Sequence, residues 1–358
     1  MLRAAKSYIF LVIMAVCTLS SCDKSMFDSE GDCDVSHIIR FRYEQNLKWA
    51  DAFPSEVNSV NLYVFDKNGV FVKEYKGRGD ALSSPDYYIE LDLPVGKYTF
   101  VAWCGLENND EEMESFTVPQ PVAGVTTIEQ LTCTLNTIRE ETRATSEDGL
   151  LVSSKKLYFL YHGQLDVNIE DHHDGRRYEH TMYLTKDTNH LRIILQELNS
   201  DIEMNAEDYD FKIEDANGMM AYNNDLCSDA TVTYTPWDKQ ADVVGVGRIE
   251  IGNEVRYAKG VVVDFSVSRM MASHSEDMWL TITNHESGET IAHIPLIQYA
   301  LLSRHYYESA YGHAMSDQEF LDREDEYIYT FFLYNNKWRD SYIDILQWRI
   351  VLGNYGLE

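Results

Sequence analysis

Short segments that alternate apolar and polar residues, separated by turns rich in glycine, proline and asparagine, run along most of this 358-residue chain. The first two are His37–Tyr43 and Val57–Phe65, and the second is followed by Asp66–Gly69 and a further strand candidate, Val70–Tyr75. A period of two places apolar side chains on one face of a strand, and Asn-Gly supplies the positive φ that a tight hairpin needs. The pattern therefore predicts a strand, a turn and a second strand.

The same pattern continues to the carboxyl end and predicts an all-β chain. The further strand candidates are Tyr87–Leu93, Lys97–Trp103, Thr126–Leu135, Lys156–Tyr161, Leu165–Ile169, His180–Tyr183, His190–Leu198, Met278–Asn284, Thr290–Leu296, Tyr327–Tyr334 and Ile343–Leu352. Strands at this spacing, joined by glycine and proline turns, are typical of a β-sandwich. Ser316 and Glu319 have the spacing of a capping box, which predicts one short helix near the carboxyl end.

Chain length and one polar segment predict two domains. A single core stops growing well before 358 residues. Residues 136–149 lack apolar periodicity and carry both charge signs, which is typical of a linker. We therefore expect tandem sandwiches at 33–145 and 146–358. Phe211–Gly218 repeats the strand and Asn-Gly turn of Leu62–Gly69, which fits two related domains.

The amino-terminal residues have the pattern of a lipoprotein signal. Arg3 and Lys6 precede an apolar run, Tyr8–Cys17, that is too short to span a bilayer as a helix. Leu19–Cys22 then fits a bacterial lipobox, in which a cysteine thiol receives a diacylglyceryl group and becomes the first residue after cleavage.

We therefore expect a signal peptide at 1–21, lipidation at Cys22 and a polar tether at 22–32. The alternative is a plain secretory signal in which Cys22 is incidental. Lipid on this cysteine would be the membrane attachment of the mature chain.

The charge of the chain excludes several partners. Asp and Glu total 59 against 30 Lys and Arg, which gives a formal charge of −29. Nucleic acids and anionic lipid surfaces require clustered cations, so neither is an expected partner. Hydrophobic residues at 44% and aromatic residues at 12% are sufficient to form buried cores, which excludes a disordered acidic chain.

No motif for catalysis or for metal binding stands out, and we expect a non-enzyme without a cofactor or metal. The HExxH, GxSxG and P-loop patterns are missing from the sequence. The histidines of the DHHDG segment at 171–175 are adjacent, which favours a solvated loop over a metal site. Asp66–Gly69 begins like a calcium loop, but Gly77 replaces the glutamate that such a loop requires. The acidic segment 322–326 is either a solvated face or a cation site.

Several motifs together resemble the FimB-type fimbrial anchor family of Bacteroidales, whose members are lipoproteins of type V pilus systems. The motifs are the lipobox, FRYEQN after Cys33, VNLYVFDKNGVFV, LPVGKYTFVAW, MSDQEFLDREDEYIYTFFL and ILQWRIV. The resemblance implies two transthyretin-like β-sandwich domains and outer-membrane attachment through Cys22. It further implies a role in anchoring or assembling a fimbria, with fimbrial shaft or accessory pilin subunits as partners.

The resemblance also implies assembly by strand addition, in which a strand of one subunit completes the open sheet edge of the next. The candidate strands are the terminal pair, Tyr327–Tyr334 and Ile343–Leu352, with these packing residues: Ile343, Ile345, Trp348, Ile350 and Leu352. The alternation of the second slips between Ile345 and Trp348, which leaves room for a bulge or a break. The alternative is an ordinary last strand of the second sandwich.

Four cysteines other than Cys22 remain after signal removal: Cys33, Cys104, Cys133 and Cys227. A location in the cell envelope permits disulfides, and four cysteines allow three full pairings. Because three of them lie in the first half, we expect a disulfide from Cys33 to Cys104 or Cys133.

A surface glycan-binding lipoprotein without a pilus role is the alternative function. Tyrosine and tryptophan are abundant, and exposed rings such as those expected of Trp237 and Trp279 can stack on sugars.

Overall fold

The computed structural model describes residues 36–107, 115–139, 150–152, 155–170, 176–198, 202–227, 230–251, 254–345 and 348–353. Over these residues the chain forms twenty-three strands and four short α-helices. The strands are β1 (Ser36–Arg42), β2 (Ser59–Asp66), β3 (Phe71–Arg78), β4 (Tyr88–Leu91), β5 (Gly96–Cys104), β6 (Phe116–Thr117), β7 (Thr132–Leu135), β8 (Thr137–Arg139), β9 (Leu150–Val152), β10 (Tyr161–Ile169), β11 (Arg177–Tyr183), β12 (Thr185–Lys186), β13 (Thr188–Glu197), β14 (Tyr209–Asp215), β15 (Met219–Ala221), β16 (Val232–Tyr234), β17 (Asp238–Ile251), β18 (Glu254–Ser268), β19 (Trp279–Asn284), β20 (Thr290–Pro295), β21 (Glu326–Tyr334), β22 (Lys337–Ile345) and β23 (Trp348–Gly353). The helices are α1 (Phe53–Glu56), α2 (Leu296–Leu301), α3 (Arg304–Tyr311) and α4 (Asp317–Arg323).

The described strands form five sheets. In order of pairing they are sheet A (β11-β1-β4), sheet B (β12-β10-β5-β2-β3), sheet C (β15-β7-β6), sheet D (β17-β18-β13-β21-β22-β23) and sheet E (β20-β19-β14-β16-β9-β8). Most neighbours are antiparallel, but β1 with β11, β13 with β21 and β9 with β16 are parallel. No helix in the described part of the chain is long and apolar enough to cross a bilayer.

Sheets A and B pack face to face around a first core. Sheet A contributes Ile39 and Phe41, and sheet B contributes Leu62, Phe100 and the ring of Tyr161 to the same cluster of buried side chains. This pairing of two faces is a β-sandwich, as the alternation in the sequence predicts.

A second core lies on the opposite face of sheet B and extends between sheets D and E. Tyr63 and Trp103, which alternate with first-core residues along β2 and β5, belong to this second cluster. Sheet C adds Cys133, and sheets D and E add residues such as Phe265 and Leu280. The central strands of sheet B are therefore buried on both faces.

The pairing of strands does not follow the predicted boundary near residue 145. Strand β10 pairs with β5, and β11 pairs with β1, so residues 161–183 complete the first sandwich. Conversely, β7 pairs with β15, and β8 joins sheet E through β9. The assignment of these segments to sandwiches at 33–145 and 146–358 is wrong, because the chain crosses between the two units more than once.

Most of the predicted strands are confirmed, and the differences are local. Within Thr126–Leu135, only β7 is a strand, because Ile128–Gln130 forms a 3-10 turn with a capping box at Thr127. In Lys156–Tyr161, only Tyr161 lies in a strand. The longest pair, β17 and β18, and the helices α2 and α3 were not predicted.

The predicted helix near the carboxyl end is confirmed as α4. The Ser316 side chain accepts a hydrogen bond from the Glu319 backbone N–H at 3.1 Å, as the capping box requires.

The predicted internal repeat in the sequence does not correspond to a repeated arrangement of paired strands. Strands β2 and β3 pair with each other around Gly69, whereas β15, which follows Gly218, pairs with β7 instead of β14.

Gly105→Ala is expected to destabilise the fold strongly. Gly105 has φ +89°, and an added Cβ would lie 2.0 Å from the carbonyl oxygen of Phe159. A strained φ and a backbone clash together predict a loss of about 3 kcal/mol or more in the free energy of unfolding. Urea denaturation measures it, with Gly124→Ala as control. Gly124 also has a positive φ but open space around it, so a loss of only about 1 kcal/mol is expected there. Equal losses of unfolding free energy for the two variants would contradict the close approach of Gly105 to the Phe159 carbonyl oxygen.

Candidate functional site

The predicted strand-exchange residues lie in a hairpin at one edge of sheet D. Strands β22 and β23 are antiparallel, with Ile343 opposite Ile350 and Ile345 opposite Trp348. The predicted strand Ile343–Leu352 is therefore divided between β22 and β23. The division falls between Ile345 and Trp348, where the slip in the alternation left room for a break.

β23 is an edge strand of sheet D. Strand β22 pairs with one side of it, and no other strand in the described part of the chain pairs with its second side. An edge strand carries backbone N–H and C=O groups without partners in their own sheet. The 6 residues of β23 therefore offer a backbone to which a strand of another subunit can add.

β17 forms the opposite edge of sheet D. Strands β17 and β18 are 14 and 15 residues long, and their register shifts between Val243 and Arg248. Strand β13 pairs with β18 only from Gly260 to Ser268. Over the described residues, the remainder of β18 pairs with β17 alone, so this hairpin extends beyond its neighbouring strand.

The described chain begins with a strand that is enclosed on both sides. β1 starts at Ser36, pairs in parallel with β11 and antiparallel with β4, and its Ile38 and Ile39 are fully buried. A pull on the preceding segment would therefore act on a central, paired strand. Cys22 and Cys33 lie outside the described residues, so lipidation of the first and a disulfide from the second stay predictions.

The other two cysteines of the predicted disulfide are buried thiols. Cys104 belongs to the first core and Cys133 to the second, and they are not bonded to each other. Burial raises the pKa of both thiols, which keeps them neutral and unreactive. Cys227 is an exposed thiol.

A cluster of charged side chains, of which Lys186, Asp187 and Arg269 are buried, lies where β12 continues into β13. We define this junction by six residues: Glu56, Lys186, Asp187, Arg269, Asp322 and Asp325. They come from α1, from the connection between β12 and β13, from the end of β18 and from the α4 region. Charged groups at such a site must be paired, because burial of an isolated charge is costly.

Two carboxylates and two aromatic rings surround the Lys186 ammonium. The side chain is 3% exposed, its Nζ lies 3.2 Å from Glu56 Oε2, and it also pairs with the Asp325 carboxylate. The same Nζ lies 3.6 Å from the centroid of the Phe159 ring. The Tyr161 hydroxyl donates a hydrogen bond to Glu56 Oε2 at 2.8 Å, which fixes that carboxylate.

Arg269 connects two of the three aspartates of the junction, Asp187 and Asp322. Its Nη2 donates to Asp322 Oδ1 at 2.9 Å, and its Nε lies 3.7 Å from Asp187 Oδ1. Asp187 is fully buried and accepts a further hydrogen bond from Asn224 Nδ2 at 2.8 Å. Burial raises the pKa of Asp187 to about 7, although Arg269 and Asn224 both act to lower it.

The carboxylates of the acidic segment 322–326 do not converge on a cation site. Asp322 and Asp325 pair with the two junction cations. Glu324 accepts a hydrogen bond from the Tyr307 hydroxyl at 3.0 Å, and burial raises its pKa to about 8. Within the described residues, no group of three or more His, Cys, Asp or Glu side chains could hold a metal ion. The histidines of the 171–175 segment lie outside those residues.

The two tryptophans considered for sugar stacking have partners within the chain. The ring of Trp279 stacks on His293 with centroids 4.3 Å apart. Trp237 lies 5.7 Å from the His190 ring and 5.4 Å from the Lys156 Nζ. Neither indole is a free platform, and the geometry does not favour the glycan-binding alternative.

The junction is the feature that sequence reasoning missed. Lys186–Asn189 is a run of polar residues between two predicted strands, His180–Tyr183 and His190–Leu198, which is typical of an exposed turn. In the structure each of these four residues is 6% exposed or less. No local signal reveals this burial, because residues that cover the run are distant in the sequence. Glu56 and Asp325, for example, lie 130 and 139 positions from Lys186.

Comparisons with known proteins agree with this architecture. The sequence profile of the family described as "Fimbrillin-A associated anchor proteins Mfa1 and Mfa2" matches residues 29–354. The minor fimbrium anchoring subunit Mfa2 of Porphyromonas gingivalis is 24% identical over 291 residues, which cover 80% of this chain and 78% of the relative.

Two solved structures from Bacteroides thetaiotaomicron are similar over most of their length. One, provisionally described as an adhesin, has a TM-score of 0.73 and 32% identity, and the match covers 89% of this chain and 97% of that one. Another, provisionally described as a polysaccharide-binding protein, has a TM-score of 0.70 and 27% identity, with coverage of 90% and 99%.

Glu324→Gln is expected to weaken the dependence of stability on pH. In the folded chain the pKa of Glu324 is about 8, above the ordinary 4.5. Between these values the folded state binds more protons than the unfolded state, so the free energy of unfolding falls as pH rises from about 5 to about 8. Glutamine cannot ionise. Between about pH 5 and pH 8 the free energy of unfolding of the variant should therefore decrease by about 2 kcal/mol less than that of the wild type, or by a still smaller amount.

Thermal unfolding at several pH values between these limits measures the effect. Glu286→Gln, on an exposed turn, is the control and should keep the wild-type slope. A Glu324→Gln slope equal to that of the wild type would contradict the burial of an ionisable carboxyl.

Proposed function

We propose that this protein anchors a fimbria at the outer membrane, because the chain belongs to the family of fimbrillin-A associated anchor proteins Mfa1 and Mfa2. The observation that carries the proposal is the family match, which extends from residue 29 to residue 354. It includes both the strand at the amino end, β1, and the edge strand at the carboxyl end, β23. The protein is thus a fimbrial anchor-type subunit, and its two ends have different tasks in the proposal.

The amino end attaches the chain to the membrane. Signal cleavage leaves Cys22 as the first residue, and its acyl chains insert into the bilayer. A polar tether then leads to β1, whose central position in sheet A distributes a pull over two neighbouring strands. The net charge of −29 gives the chain no electrostatic attraction to anionic lipid, so the acyl chains are the source of affinity.

The carboxyl end receives the fimbria. A partner strand adds to the open side of β23 and extends sheet D by main-chain hydrogen bonds. The β21-β22-β23 meander supports this edge, because β21 lies next to the buried strand β13 in the same sheet. Fimbrial shaft or accessory subunits are the partners in this proposal.

Cys22→Ala is expected to release the protein. Without the thiol no diacylglyceryl group can be attached, and the fold, whose described part begins at Ser36, should be unchanged. Fractionation should place the variant, with any bound fimbria, in the medium. Cys227→Ala removes an exposed thiol from the folded part and should stay with the membrane. Unchanged membrane association of Cys22→Ala would refute lipid anchoring.

Deletion of residues 348–358 is expected to detach fimbriae from cells that still carry the protein. This deletion removes β23, whereas the control deletion of 354–358 leaves it in place. Electron microscopy counts attached fimbriae, and circular dichroism checks that the shortened chain is folded. Attachment at the wild-type level without β23 would contradict strand addition at this edge.

A further inference from the structure

Lys186, Asp325 and Glu56 bring together the groups needed to form an amide bond between side chains. We propose that Lys186 and Asp325 condense to an intramolecular isopeptide bond and that Glu56 transfers the protons. None of these residues has a part in the proposed anchoring function, so the inference stands apart from it.

The backbone holds the two reacting residues in place. Lys186 lies opposite Tyr161 in the pairing of β12 with β10. Asp325 lies beside the start of β13, because its carbonyl oxygen accepts a hydrogen bond from the His190 N–H at 2.8 Å. With the Lys186 Nζ and the Asp325 carboxylate already in contact, little conformational freedom remains to be lost before reaction.

Glu56 is placed to act as the proton-transfer group. Its Oε2 lies 3.2 Å from the Lys186 Nζ, which is within hydrogen-bond reach of the atom that must lose protons. The Tyr161 hydroxyl, 2.8 Å from the same oxygen, holds it there. The carboxylate that reacts and the carboxylate that relays protons are therefore separate residues.

Aromatic side chains keep the lysine from water. Phe159 and Tyr161 lie against its Nζ, and the Tyr43 ring packs on Tyr161 with centroids 5.1 Å apart. The lysine side chain is 3% exposed, whereas the side chains of Glu56 and Asp325 are 27% and 30% exposed. The reaction needs the neutral amine as its nucleophile, and Glu56 is the group placed to accept the proton of the ammonium.

The step is a condensation that needs no oxidant or other reactant. Glu56 accepts a proton from the Lys186 ammonium, and the free amine attacks Cγ of Asp325. A C–N bond forms, a C–O bond breaks, and the relayed protons leave with the oxygen as one water molecule. The ammonium and the carboxylate thus become an amide plus water.

Positioning accelerates this condensation relative to the same groups free in water. Well-oriented groups within one molecule reach effective concentrations of roughly 10⁵ M or more. Lys76 also lies near two carboxylates, but it is not buried as Lys186 is. Its Nζ lies 3.4 Å from both Glu74 and Glu107, but the side chain is 42% exposed and remains solvated.

The bond would join the two cores of the protein covalently. Lys186 ends the last strand of sheet B, and Asp325 directly precedes β21 in sheet D. A load applied at the amino end would then pass to sheet D through this bond as well as through the chain.

Peptide mapping of the purified, denatured protein tests the proposal without any variant. Trypsin cannot cleave after an amide-linked lysine, so residues 178–192 should stay in one piece and carry peptide 324–337. The mass of the pair should be lower than the sum of its parts by one water. Release of 178–186 and 187–192 as separate peptides would overturn the proposal and leave an ion pair.

Variants test the role of each group. Lys186→Arg keeps the charge and should lose the linked peptide completely, whereas Lys76→Arg should keep it. Glu56→Gln should slow its formation about 100-fold, measured as the linked fraction in newly synthesised protein that circular dichroism shows to be folded. Formation at the wild-type rate in folded Glu56→Gln would overturn the role of Glu56.

Discussion

Burial of sheet B on both faces is the constraint on which the rest of the structure depends. One face of β2 and β5 packs against sheet A, and the other packs into the core shared by sheets C, D and E. Seven consecutive residues of β2, from Ser59 to Phe65, are buried as a result. A sheet that is covered twice has little freedom to rotate relative to either neighbour, so the two sandwiches form one connected body around it.

This shared sheet explains what the sequence could and could not predict. Alternation with a period of two correctly indicates strands such as β1 and β13, because each strand has a pattern of its own. Local sequence patterns do not determine which strands pair with each other. The polar segment 136–149 has the composition of a domain boundary. Yet β7, which precedes it, pairs with β15, and β10, which follows it, pairs with β5. The terminal strands show a smaller limit of the same kind. A slip in the alternation fits one bulged strand as well as two short strands, and the structure has two.

The junction illustrates the same limit at the level of side chains. A Lys-Asp-Thr-Asn run between two predicted strands has the composition of a solvated turn. Only the folded chain brings Glu56, Arg269 and Asp325 against it. The buried charges fix how the first sandwich meets α4 and β21. Pairing offsets part of the cost of their burial, and removal of one partner would leave an uncompensated charge.

These features give a consistent account of an anchor. The family match assigns the chain to fimbrial anchor proteins, the amino end enters a central strand, and the carboxyl end presents an open edge. The most direct test of the central claim is the position of the protein on intact fimbriae, measured by immunogold electron microscopy of an epitope-tagged chain. The account predicts gold at the single end of each fimbria that meets the outer membrane. Gold along the shaft, or at the free tip, would contradict it.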